Sequence, residues 1–168
     1  MTVSSVTETT QFLTFTLADE VFAIDIGRIK EVLEYTPLTK VPRTPESMCG
    51  VINLRGSVVP VIDLRLTFGM SKSERTVNTC VIIIEVAVNA QQIVLGAMAD
   101  SVKEVMSLEP DQIDPPPKIG AKLRTEFIRG MGKAGNHFII ILDTDRIFSE
   151  DELAHVVEVG GTGHSEAA

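Results

Sequence analysis

The chain has 168 residues, of which 44% are apolar, and a formal charge of −8, so it can bury an ordinary core and repels a nucleic-acid backbone. Cys49, Cys80 and the histidines at 137, 155 and 164 stand in no metal-like or redox-like spacing, which excludes a zinc centre and thiol catalysis. No apolar run approaches the ~18 residues needed to cross a bilayer and the first residues lack the pattern of a signal peptide, so a soluble, cytoplasmic protein without direct membrane insertion is expected.

Residues 1–10 are polar and read as a flexible tail, and so do residues 159–168. Phe12-Leu13-Thr14-Phe15-Thr16-Leu17 and Val21-Phe22-Ala23-Ile24-Asp25-Ile26 flank the polar Ala18-Asp19-Glu20, which predicts a first hairpin. Residues 27–34 fit a helical turn passing into a strand. Three prolines at 37, 42 and 45 then demand an extended loop.

The loop leads into Gly50-Val51-Ile52-Asn53-Leu54-Arg55-Gly56-Ser57-Val58-Val59-Pro60-Val61-Ile62-Asp63-Leu64, a second hairpin with a cation at its tip. Gly56 suits a positive φ there, and Pro60 belongs on an edge strand or at a bulge. Residues 80–86 form a continuous apolar run, the mark of a strand buried on both faces, and 92–99 and 101–108 supply two more strands. A proline loop at 111–120 follows, and then two runs, 127–132 and 137–142.

This order of signals occurs twice. Lys30-Glu31-Val32 matches Lys103-Glu104-Val105, Val41-Pro42 matches Asp114-Pro115, Gly50 matches Gly130, and Asp63 matches Asp143. The expected fold is therefore all-β: two small five-stranded barrels side by side, over about 11–73 and 78–148, within one domain spanning 11–158. Ser149 as N-cap with Glu152 three residues on predicts a C-terminal helix over 149–158, docked through Leu153, Val156 and Val157.

No nucleophile–base pair, phosphate loop or metal motif is present, and Asp143 with Asp145 reads as a helix start rather than an acid pair. Met48, Met98, Met106 and Met131 read as core filler. What remains is a rigid exposed arginine and two proline loops, which suit protein recognition. A small β-barrel enzyme or ligand-binding protein is the rival from another class.

The opening Phe-Leu-Thr-Phe-Thr-Leu, Ile24-Asp25-Ile26, Glu31-Val32, the Gly50 to Gly56 segment, Pro60-Val61-Ile62-Asp63-Leu64-Arg65, Ile113-Asp114-Pro115-Pro116 and Gly130 resemble the CheW family. These are the coupling proteins of bacterial chemotaxis, and the likeness runs from about Phe12 to Val157. It implies two SH3-like five-stranded barrels, no enzymatic activity and no cofactor. It also implies a scaffold linking chemoreceptor tips to the regulatory domain of the histidine kinase CheA, recruited to membrane receptor arrays through these partners and through other CheW copies.

The positions that match the family's receptor groove are Ile29, Glu31, Arg55, Val58, Val102 and Val105. Those that match its kinase contacts are Leu38, Val41, Met48 and Gly50 on the first barrel and Asp114, Lys118 and Ile119 on the second. Leu38 and Ile119 are expected to be exposed and apolar. Glu31 and Arg55 have an alternative, which is to pair with each other. An adaptor of a non-flagellar chemosensory pathway would share all these features.

Overall fold

The computed structural model describes residues 9–72, 74–88, 90–116, 127–148 and 152–154. Aromatic and β-branched residues form β1 (Thr10–Leu17), Ala18 and Asp19 reverse the chain with φ of 51° and 72°, and β2 (Glu20–Asp25) returns. Thr10, read from sequence as part of a tail, already pairs with Leu108. A 3₁₀ turn at Ile26–Arg28, capped where the Asp25 carboxylate accepts from the Gly27 N–H at 2.8 Å, passes into β3 (Ile29–Glu34).

Next come β4 (Met48–Leu54), β5 (Ser57–Asp63) and a short helix α1 (Leu64–Thr67), then β6 (Cys80–Val88), β7 (Gln91–Ala99) and β8 (Ser101–Leu108). The chain goes on through β9 (Ile113–Asp114), β10 (Ile128–Ala134) and β11 (His137–Leu142). Helix α1 has no counterpart in the sequence reading; the Asp63 carboxylate caps it by accepting from the Arg65 N–H at 2.9 Å. The loop expected to be extended over 111–120 begins instead with a 3₁₀ turn at Pro110–Gln112 and the two residues of β9. Glu152 to Ala154 are helical; the rest of the expected C-terminal helix, its Ser149 cap included, lies outside the described residues.

The strands form two sheets, in the orders β8-β1-β2-β11-β10-β9 and β3-β6-β7-β5-β4. The division near residues 73–78 expected from the repeat is therefore corrected. In sequence β1-β2-β3-β4-β5 repeats as β6-β7-β8-β10-β11, yet in space each repeat has given its leading hairpin to the other. The pairing senses confirm the equivalence: β6 lies antiparallel to β3 and β7 parallel to β5, as β1 lies antiparallel to β8 and β2 parallel to β11. Parallel neighbours cannot be joined by a tight turn, and the exchange supplies the long crossover they need.

Each sheet closes on itself through one stretch of chain that touches both edges. After β3, Thr39 bridges to Val51 of β4 through two backbone hydrogen bonds of 3.0 and 2.8 Å. After β8, the two residues of β9 pair with Met131 and Gly132 of β10. The matched glycines stand at these closures. A Cβ on Gly50 would lie 2.6 Å from the Thr39 carbonyl oxygen, and one on Gly130 would lie 2.8 Å from Ile113 Cγ2. Each glycine also follows a register shift, between Met48 and Gly50 and between Ile128 and Gly130. Pro60 is on neither an edge strand nor the bulge itself: β5 lies between β4 and β7, but its ladder to β7 begins only at Val61, so no hydrogen bond is lost at the proline.

Val59, Val61, Val81, Ile83 and Met98 fill the interior of one sheet, and Phe12, Ala23, Leu108, Ile139 and Ile141 fill the other. A third and larger cluster lies between the sheets, with Phe15, Phe22 and Ile24 from one and Ile62, Ile82, Ile84 and Leu95 from the other. Strands β1 and β6 thus bury both faces, which is why residues 81–84 read as an unbroken apolar run. Stacked rings cross the seam from Phe15 through Phe22 and Phe68 to Phe127, at 6.0, 5.7 and 4.8 Å. Leu153 packs against the same cluster, and the buried Glu152 carboxylate accepts hydrogen bonds from the hydroxyls of Ser47 and Thr67.

Two ion pairs clamp the junction. The Arg65 fork reaches Asp100 with Nε–Oδ1 and Nη2–Oδ2 distances of 2.9 and 2.7 Å, and Asp100 also accepts from the Ala18 N–H at 2.8 Å. At the equivalent corner the charges are exchanged: Arg28 holds Asp145 at 3.0 Å, and Asp145 accepts from the Ala87 N–H at 3.0 Å. Burial alone would raise the Asp100 pKa, but the Arg65 hydrogen bonds and the Ala18 N–H outweigh it and leave the carboxyl below its usual value.

Two outcomes follow from these contacts. Gly50→Ala, at φ +153° and 2.6 Å from a carbonyl oxygen, should cost about 2–4 kcal/mol in urea unfolding, and Gly130→Ala should cost less because its nearest carbonyl oxygen is 3.0 Å away and its φ is not positive. A depressed carboxyl contributes stability that is complete above its unfolded pKa of about 3.9 and is lost as pH falls through the folded value. Asp100→Asn should therefore lower stability at neutral pH by roughly 1.5–3 kcal/mol and flatten the loss of stability below about pH 4.

Candidate binding surfaces

The positions matched to the receptor groove fall on three elements: Ile29 and Glu31 on β3, Val102 and Val105 on β8, and Arg55 and Val58 at the tip of the β4–β5 hairpin. Strands β3 and β8 are the equivalent outer strands of the two sheets. Ile29 and Val102 both pack, half-buried, against the cluster between the sheets, so they mark where that seam reaches the surface. Val58 and Val105 are 44% and 48% exposed, an unusual state for β-branched apolar residues on strands.

Arg55 and Gly56 form the two-residue turn, with φ of 50° and 91°, and the Gly56 N–H donates to Asn53 Oδ1 at 2.7 Å. This is the twist a two-residue hairpin favours, and it holds an arginine where glycine or asparagine is usual. The Arg55 guanidinium forms a salt bridge and hydrogen bonds with the Glu31 carboxylate of β3. The pairing that the sequence left as an alternative is thus formed. Its main electrostatic result is that the Arg55 hydrogen bond holds the Glu31 carboxyl below its usual value. Arg55 remains 72% exposed, so the pair is presented to solvent and not sequestered. It also spans a gap in the backbone ladder, since the barrel closes at Thr39 and Val51 and not between β3 and the hairpin tip.

The positions matched to kinase contacts divide into three groups. Val41 and Leu38 lie half-buried on the loop after β3, and Leu38 packs against the interior of the β3-β6-β7-β5-β4 sheet rather than standing free as expected. Met48 is only 4% exposed and belongs to the central cluster, and Gly50 is buried against Thr39. These two support the surface and do not form it. Asp114 lies on β9, half-exposed and paired with Lys133 at 3.3 Å. Lys118 and Ile119 lie outside the described residues.

Sequence reasoning missed Val32 and Phe138, which are 41% and 54% exposed. Val32 stands beside Glu31 and matches Val105 in the repeat; Phe138, three residues before Ile141, occupies the place that Val58 has before Val61. The repeat alignment carried this signal for both residues.

Among the described residues no group of three histidine, cysteine, aspartate or glutamate side chains is placed to hold a metal, and no helix is long and apolar enough to cross a membrane. Burial pushes the Cys49 thiol up to about 11, so it stays protonated near neutrality and is no nucleophile.

A family model described as a CheW-like domain matches residues 11–152. The chemotaxis protein CheW of Klebsiella aerogenes is 38% identical over 149 residues, covering 89% of this chain and 87% of that protein. Protein FrzA of Myxococcus xanthus is 32% identical over 127 residues, covering 76% of each. Among solved structures, the scaffolding protein TtCheW from Thermoanaerobacter tengcongensis superposes with a TM-score of 0.75 at 34% identity, over 85% of this chain and 94% of that one. With two curved sheets, exposed valines beside a paired arginine and a likeness that spans both sheets, the chain belongs to the CheW family and is a non-catalytic coupling scaffold of chemotaxis.

Proposed function

We propose that the face built by β3, β8 and the β4–β5 tip binds the helical cytoplasmic tip of a chemoreceptor. The loop around Leu38 and Val41, with Asp114 on the other sheet, contacts the regulatory domain of CheA. The observation that supports the receptor site is the combination of three features: the seam residues Ile29 and Val102, the exposed Val58 and Val105, and the solvent-facing Glu31–Arg55 pair. An amphipathic helix needs an apolar strip to lie on and charges at the rim to fix its register, and this face has both. Through these partners the protein joins receptor arrays at the inner membrane surface while residing in the cytoplasm.

Calorimetric titration against a receptor-tip fragment and, separately, a CheA regulatory domain should show binding to both. Arg55→Glu should keep the circular dichroism spectrum and the kinase titration while weakening the receptor titration about tenfold or more. The exchanged double variant Glu31→Arg/Arg55→Glu remakes the ion pair with its ends reversed. If receptor binding returned with it, the pair would only hold the barrel shut; continued loss shows that the partner reads the charges where they stand. Binding to neither partner by a folded protein would overturn the assignment.

A further inference from the structure

One cleft runs against the charge of the whole chain. It is open, has a volume of about 660 Å³, and lies beneath the loop that joins β3 to β4. Lys40, Arg43, Lys72 and Arg75 line it against a single carboxylate, Glu46, although the chain carries 23 acidic and only 15 basic residues. Its floor is apolar, with Leu38, Val41 and Leu66. The Arg75 guanidinium lies over the Tyr35 ring at 5.2 Å, which fixes one cation at the wall. Among the described residues, Lys40, Arg43 and Lys72 have no carboxylate partner.

The backbone at Arg43 adds an independent observation. Pro42 and Arg43 form a turn in which Arg43 has φ 63°, the position such turns ordinarily give to glycine, and Thr44 Oγ1 donates to the Val41 carbonyl at 2.9 Å to hold it. Glycine would be less strained at this position, so the turn alone does not call for an arginine there.

We propose that this cleft docks an acidic segment of a protein partner, with an apolar residue on the Leu38–Val41–Leu66 floor and flanking aspartates or glutamates on Lys40, Arg43 and Lys72. Free phosphate would satisfy the cations and leave the floor uncovered, whereas a peptide with carboxylates on both sides of a leucine matches both. The proposal deepens the reading of this loop as a kinase-docking face, and it rests on that reading only for the partner's identity.

The test measures fluorescence anisotropy of a labelled peptide holding a leucine between glutamates, with a glutamine version as control and inorganic pyrophosphate as a separate probe. The glutamate peptide should bind about tenfold or more tightly than the glutamine one, and its affinity should fall as salt rises. Arg43→Gly should keep or raise the melting temperature while weakening this binding, and Lys40→Glu/Lys72→Glu should abolish it with the fold intact by circular dichroism. Equal affinity for the two peptides, wild-type affinity in Arg43→Gly, or binding of pyrophosphate without binding of the peptide would each overturn the proposal. Titrating the CheA regulatory domain against the same variants separates the two readings. A kinase contact that the variants leave untouched removes the kinase from this loop, while the peptide result stands by itself.

Discussion

Four ladders cross between the repeats and hold this molecule in one piece: the antiparallel β1–β8 and β3–β6, and the short parallel ones, Val61 to Asp63 of β5 against Gly96 to Met98 of β7 and Ile140 to Ile141 of β11 against Phe22 to Ala23 of β2. Each joins a hairpin from one repeat to strands from the other, so neither sheet is complete without chain from both halves. The seam cluster between the sheets follows from this, because β1 and β6 must be apolar on both faces once they sit between a barrel interior and a second sheet. Gly96 belongs to the same constraint, since a Cβ there would lie 2.6 Å from Val81 Cγ1 and push the ladder apart.

The surface inherits its geometry from that seam. Ile29 and Val102 are apolar because they continue the seam cluster outward, and they lie half-buried at its margin. The Arg65–Asp100 and Arg28–Asp145 clamps set the relation of the two sheets with reversed polarity at the two corners. Each clamp also ties a backbone N–H of the facing hairpin, at Ala18 and at Ala87, so rotation of one sheet against the other would break several charge-assisted hydrogen bonds at once.

The local signals in the chain were legible and their long-range assembly was not. Alternating apolar residues marked β1, β2, β4 and β5, and the Gly50–Gly130 and Asp63–Asp143 matches identified positions that have the same contacts in both sheets: the closing bridge for the glycines, and the cap of the following turn for the aspartates. Which copy of a hairpin completes which sheet is decided by ladders between residues far apart in sequence, and periodicity holds no record of that choice. Met48 shows the same limit at the site. Its residue type reads as core filler and its family match as a kinase contact, and the bulge before Gly50 turns it into the central cluster. The cationic cleft was illegible for a related reason, since Lys40, Arg43, Lys72 and Arg75 are dispersed over two loops and only the closed barrel brings them together.

The exchanged hairpins also set an order of assembly. A chain emerging from synthesis makes β1 and β2 first, but the strands that flank this hairpin, β8 and β11, come late and very late. Until then Phe12, Phe15 and Ile24 have no place to go, and even the earlier sheet must wait for β7 before β5 gains its inner neighbour. Closing such distant contacts makes folding slow for a chain of this size, and it leaves two adhesive hairpins uncovered in the interval. Neither half, made alone, contains a whole sheet. Two separately made halves would have every strand needed to complete each other, so complementation between fragments is a natural property of this topology.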